Sequence, residues 1–155
     1  MAKFHFEITE TIRAPREEVF AAATDYESMP KWSKLYTSVH ITKREGNIVY
    51  TDVETKARGQ TSRGTTKYVE IPPERIELVG ESGNGASATV MLRFEPSAGG
   101  SASTNLVYVA DYDFPGAAAT ILGPLARGML QSTLKEEGRA FAAYVEGKKE
   151  SLSGE

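Results

Sequence analysis

One stretch of this sequence is patterned as a long helix, and nearly everything ahead of it is patterned as strands. Leu122, Ala126, Leu130, Leu134, Phe141 and Val145 fall at spacings of four and seven, which draws one apolar stripe along a helix. Arg127, Lys135, Glu136, Arg139 and Glu146 lie mostly away from that stripe. The spacing predicts a helix from about Gly116 or Pro124 to about Gly147, followed by a polar tail over 149–155. Gly123-Pro124 is expected to start or kink it, because proline cannot donate to a helical hydrogen bond.

The rest of the chain is written with period two. Phe4, Phe6, Ile8 and Ile12 share one parity, while His5, Glu7, Thr9, Thr11 and Arg13 share the other, as in a strand with one buried face. Ala14-Pro15 ends that pattern, and Glu17 and Glu18 then stand where a helix dipole favours negative charge. Val19, Phe20 and Ala23 give a short helix, and Asp25 is placed to cap a second one over Tyr26–Ser33 that Pro30 keeps short. A meander is expected next, with strands Tyr36–Arg44, Ile48–Arg58, Gln60–Ile71, Arg75–Gly80, Ala86–Glu95 and Ser103–Tyr112. Turn-forming residues separate them, among them Glu45-Gly46-Asn47, Pro72-Pro73 and Gly83-Asn84-Gly85, and connections this short favour antiparallel neighbours.

The order strand, two short helices, six strands, long helix defines an α+β chain. A seven-stranded antiparallel sheet has one face to cover, and only the long helix is large enough to cover it. A curved sheet gripping one helix can leave space that side chains do not fill, and that space is the expected binding site. At 155 residues, 40% hydrophobic and 25% charged, the composition suits one globular domain over 1–148.

Several function classes recede on composition. The chain has no cysteine, which removes thiol catalysis and thiolate metal sites and suits a cytoplasmic location. A net charge of −3, with Lys and Arg scattered, gives no reason to expect a nucleic-acid partner. No transmembrane segment is expected, because no run approaches the ~18 apolar residues that a span requires, and the alternation after Met1 does not resemble a signal peptide. His5 and His40, the only histidines, lack HxH, HxxxH or HExxH spacing, so neither a metal nor another cofactor is expected. Asp52 and Glu54 share a strand face opposite the more apolar Val49 and Val53, which marks them as solvated rather than as an acid/base pair. Gly80 to Gly85 opens no helix and reads as a hairpin turn, not a phosphate loop. Arg58 and Arg63 flank the Gly59 turn, where surface positions are expected. No catalytic residue is assigned.

Aromatic residues with polar tips suit an apolar pocket that needs a few oriented hydrogen bonds. The candidate ligand-binding set is Trp32, Tyr68, Leu92, Phe94, Tyr108, Tyr112, Leu122, Leu125 and Met129. Tyr36 and Tyr50 belong to the same aromatic inventory. The parity facing the pocket is left open for 61–71 and 106–112, where both faces mix sizes and polarity.

Ile12-Arg13-Ala14-Pro15, Val19-Phe20, Asp25, Pro30 and Trp32 resemble the opening of the START-like, or polyketide cyclase/dehydrase (SRPBCC), superfamily. The coenzyme Q-binding chaperone branch and the carbon monoxide dehydrogenase G-subunit branch are the most similar in this respect. Pro72-Pro73-Glu74-Arg75-Ile76 resembles the hairpin that follows in those proteins, and Leu122-Gly123-Pro124-Leu125 through Leu134-Lys135-Glu136 resembles their closing helix. The resemblance implies a helix-grip fold with a lipophilic cavity. It leads to binding or transport of a hydrophobic small molecule such as a lipid, quinone or polyketide. The alternatives are a cyclase/aromatase-type enzyme and an accessory subunit that docks on a larger complex, the one case that brings in a protein partner. The segment Phe114 to Pro124, between the last strand and the long helix, is the expected gate.

Overall fold

The computed structural model describes residues 2–57, 59–83, 85–97, 100–116 and 123–153. Its strands are β1 (Ala2–Ile12), β2 (Tyr36–Glu45), β3 (Ile48–Ala57), β4 (Gln60–Ile71), β5 (Arg75–Ser82), β6 (Ser87–Ser97) and β7 (Gly100–Phe114). Helix α1 (Arg16–Ala23) and a 3₁₀ turn (Tyr26–Lys31) separate β1 from β2, and helix α2 (Gly123–Ser153) closes the chain. All seven strands form one sheet in the order β1-β7-β6-β5-β4-β3-β2, with every neighbouring pair antiparallel. Six strands follow one another as hairpins. Only β1 is displaced, to the far edge beside β7, because α1 and the 3₁₀ turn carry the chain across to the opposite edge.

Register decides which side chains meet. Phe4, Phe6 and Ile8 lie opposite Tyr112, Ala110 and Tyr108, which lie opposite Ala88, Val90 and Leu92. The same face continues through Leu78, Tyr68 and Val49. This is the concave face, and it settles the two open strands. Leu106, Tyr108, Ala110 and Tyr112 point inward from β7, and Ser62, Gly64, Thr66 and Tyr68 point inward from β4. Gly64 is needed where β4 and β5 approach closely, since a Cβ there would fall 2.2 Å from the Glu81 carbonyl oxygen.

The larger of two buried clusters fills one end of the sheet. Ile12, Val19, Phe20, Tyr26, Val49, Tyr68, Ile76, Phe94, Phe141 and Val145 form one buried cluster there. Phe20 meets Phe94 edge-on at 5.1 Å, and Tyr26 stacks on Tyr68 at 4.0 Å. The Tyr26 hydroxyl donates to the Glu70 carboxylate at 2.6 Å, so the ring is buried without leaving its polar tip unpaired. Thr104, fully buried, donates to the Ala14 carbonyl at 2.8 Å and ties β7 to the entry of α1.

Helix α2 divides its stripe between two neighbours. Phe141, Ala142 and Val145 enter the closed-end cluster, whereas Ala126, Leu130 and Leu134 pack on Phe4, Phe6 and Ile8. Arg127 lies over the Phe6 ring at 4.8 Å and donates to the His5 carbonyl at 2.9 Å. The helix therefore lies along edge strand β1 rather than down the middle of the sheet.

Some boundaries differ from the sequence reading. Helix α2 continues past Gly147 to Ser153, because the Lys, Glu and Leu residues there sustain a helix without an apolar stripe. Asp25 makes no side-chain cap; its backbone carbonyl accepts from Ser28 instead. Pro15 precedes α1 as its N-cap instead of occupying the first helical position.

Candidate functional site

Beside the closed-end cluster, burial of the inward-facing side chains becomes partial. Leu78, Leu92, Tyr108 and Tyr112 on the sheet, and Met129, Leu130, Thr133 and Leu134 on α2, are all only half-buried. On the flank of α2 away from β1, a cleft of about 590 Å³ opens between the helix and the start of β2. Lys34, Leu35, Lys56, Leu125, Met129, Thr133 and Glu137 border it. Glu137 braces this mouth: its carboxylate accepts from the Ser33 hydroxyl and from the Lys34 N–H. The Ser33 oxygen in turn accepts from the N–H groups of Leu35 and Tyr36.

Four phenols point inward from the concave face. Tyr36 comes from β2, Tyr68 from β4, and Tyr108 and Tyr112 from β7. β2 and β7 are far apart in strand order, so the coupling of Tyr36 to Tyr112 runs across the concave face. Tyr108 and Tyr112 hydrogen-bond through their hydroxyls, whereas the Tyr68 ring is stacked on Tyr26 with the Thr51 and Thr66 hydroxyls nearby, which oppose the effect of burial on its pKa. Burial is the main cause that raises all four pKa values, pushing Tyr68 up to about 12. At neutral pH they are uncharged donors. Tyr36, Tyr108 and Tyr112 are desolvated yet keep accessible area. That combination is what side chains facing a space enclosed by protein would show.

The candidate residues fall into distinct places. Tyr108, Tyr112 and Leu92 line the loosely filled half, while Leu125 (64% exposed) and Met129 stand at the cleft. Trp32 packs on Phe141 at 5.1 Å at the margin of the closed-end cluster. Tyr68 and Phe94 belong to the closed-end core, at 2% and 1% exposed. Leu122 and most of the Phe114–Pro124 segment lie outside the described residues; α2 begins at Gly123, with Pro124 in its first turn. Thr133 and Glu137 do not appear in the sequence-based set, and Tyr36 stands only in the wider aromatic inventory. Simple alternation puts Tyr36 and Val39 on opposite faces, but a bulge between Tyr36 and Ser38 turns both inward.

A second depression, of about 610 Å³, is bordered by Ser38, His40, Asp52, Glu54, Arg63 and Glu81 among others. Arg63 pairs with Glu54 at 3.3 Å and His40 lies 3.3 Å from Glu27, so its border is charged and polar. An apolar molecule would gain little there. His5 bonds to Asp111 at 2.8 Å on the exposed face, and that bond is the main cause raising its pKa. Among the described residues no group of three His, Asp or Glu side chains is arranged to hold a metal. None of the described helices is long and apolar enough to cross a membrane.

A curved seven-stranded antiparallel sheet closed by one long C-terminal helix is a helix-grip, START-like domain. The chain belongs to the polyketide cyclase / dehydrase and lipid transport family, whose model matches residues 3–146. Solved structures agree on the fold. A Thermus thermophilus protein, TTHA0849, superposes with a TM-score of 0.83 at 18% identity, covering 94% of this chain and 99% of that one. The Zhui aromatase/cyclase of Streptomyces sp. R1128 gives 0.74 at 18% identity, covering 96% and 94%. A START superfamily protein of Mycobacterium smegmatis gives 0.76 at 19% identity, covering 92% and 97%. No curated protein matches the sequence.

Proposed function

We propose that this protein binds a hydrophobic small molecule in the space between α2 and the concave face, and shields or carries it in the cytoplasm. The observation that carries this reading is the contrast along the grip. Inward side chains are packed to exclusion at the Phe94–Phe141 end and along β1, whereas Leu78, Leu92, Tyr108 and Tyr112 between them stay half-buried and a cleft opens beside α2. Native interiors are close-packed, so apolar side chains left half-accessible on an inward face mark room for a guest. The family description, which includes lipid transport, supports the same reading. The cysteine-free sequence suits a reducing compartment.

A cyclase-type reaction in the same cavity is the second reading, favoured by phenols that converge on one space. Held neutral, they can give a proton but are poor bases, which limits them to polarising a carbonyl.

A lipophilic, environment-sensitive dye tests the binding reading. It should bind the native protein in a one-to-one ratio and be displaced by hydrophobic competitors. If fluorescence rises only under partly denaturing conditions, the interior is filled and the reading fails.

A further inference from the structure

The interior of the grip holds hydrogen-bond donors that no acceptor among the described residues uses. The hydroxyls of Tyr108 and Tyr112 bond to each other, which occupies one of their two protons. Tyr36 interacts with Tyr68, Tyr112 and Glu137 only through space, with no hydrogen bond from its hydroxyl to another described residue. Tyr68 sits apart in the closed-end core, 2% exposed and stacked on Tyr26. Two O–H groups are therefore left over in one apolar space, and a carbonyl oxygen has two lone pairs to receive them.

The charges nearby point the same way. Inward positions around the open half are Thr55, Ser62, Leu78, Ser82, Ala88 and Leu92, all uncharged. The one inward cation among the described strand residues, Arg44, is at the closed end beside Glu70. Lys34 and Lys56 stand exposed at the outer rim. The charge that reaches the phenols is negative: the Glu137 carboxylate acts on Tyr36 through space. A buried anion there would meet a like charge and no counter-ion.

Building on the binding reading above, we propose that the ligand is an uncharged, carbonyl-bearing apolar molecule (a ketone, quinone or ester) whose oxygen lies between Tyr36 and the Tyr108–Tyr112 pair. The corresponding carboxylate is discriminated against.

Three naphthalene probes of nearly equal size test this by displacement of the dye: 2-acetylnaphthalene, 2-naphthoate and 2-ethylnaphthalene. Near neutral pH the ketone should bind at least ~10-fold tighter than naphthoate, the order expected when a buried charge has no partner. The double variant Tyr36→Phe/Tyr112→Phe keeps both rings. It should weaken the ketone by roughly 10-fold, as for one or two lost hydrogen bonds, and leave ethylnaphthalene within about twofold. Naphthoate binding as tightly as the ketone would make the rim lysines the head-group site and overturn the proposal. So would a double variant that weakens ketone and hydrocarbon alike. If neither the dye nor any probe binds the native protein, the binding reading fails as well, which separates the two failures.

Discussion

Replacing Phe141 by alanine tests the division of the grip into a packed end and an open end. The ring is 4% exposed and lies 5.1 Å from Trp32, between α2 and the 3₁₀ turn. Truncating a buried phenylalanine costs about 3–5 kcal/mol, the sum of lost transfer energy and a cavity that the surroundings only partly refill. The aromatic pair accounts for about 0.5–1.5 kcal/mol within that range. For a domain whose whole stability is about 5–15 kcal/mol, this is a large fraction. At about 2–4 °C per kcal/mol, the melting temperature should fall by about 6–20 °C. Trp32 is the only tryptophan, so its emission reports the same site and should shift to the red as its apolar neighbour is removed. Met129→Ala, about three turns earlier on the same helix, is the internal comparison. Met129 is half-buried and borders the cleft, so its removal enlarges an existing space and should cost about 1 kcal/mol or less. Urea unfolding followed by tryptophan emission and far-ultraviolet circular dichroism measures both. Equal losses for the two variants would refute the gradient of packing, and with it the argument for a cavity.

Gly64→Ala should cost about 1–3 kcal/mol, because the new methyl meets the rigid Glu81 backbone. Gly128→Ala, with open space around it, should gain about 0.5–1 kcal/mol of helix propensity. Losing that opposition of sign in unfolding curves would mean that β4 and β5 do not approach as described. Alkaline titration should show tyrosines of two kinds. Burial raises the Tyr68 value from 10.0 to about 12, so its contribution to stability is complete below pH 10 and is lost as pH rises toward 12. The interior phenols should ionise only together with loss of the native dichroism; all seven titrating as one class in the folded state would refute their burial.

The sequence by itself determined the order of elements, the single long helix and the buried parity of β1 and β6. Each of these follows from a local period: two for Phe4, Phe6 and Ile8 and for Val90, Leu92 and Phe94, near 3.6 for the α2 stripe. Gln60–Ile71 was legible to the residue because Gly59 and Pro72-Pro73 bound it with turn chemistry. Only the tertiary structure decided what that stripe touches. Its first half covers edge strand β1, which shifts α2 to one side and opens the cleft at Met129 and Thr133. The bulge that turns Tyr36 inward is a feature of how β2 pairs with β3, invisible to alternation within β2 alone. Glu137 reads as one more polar helix residue until the Ser33–Tyr36 corner is brought against it. Periodicity is fixed by bonds between near neighbours in the chain, whereas convergence of four phenols depends on register, bulge and helix offset, which are set by contacts between distant segments.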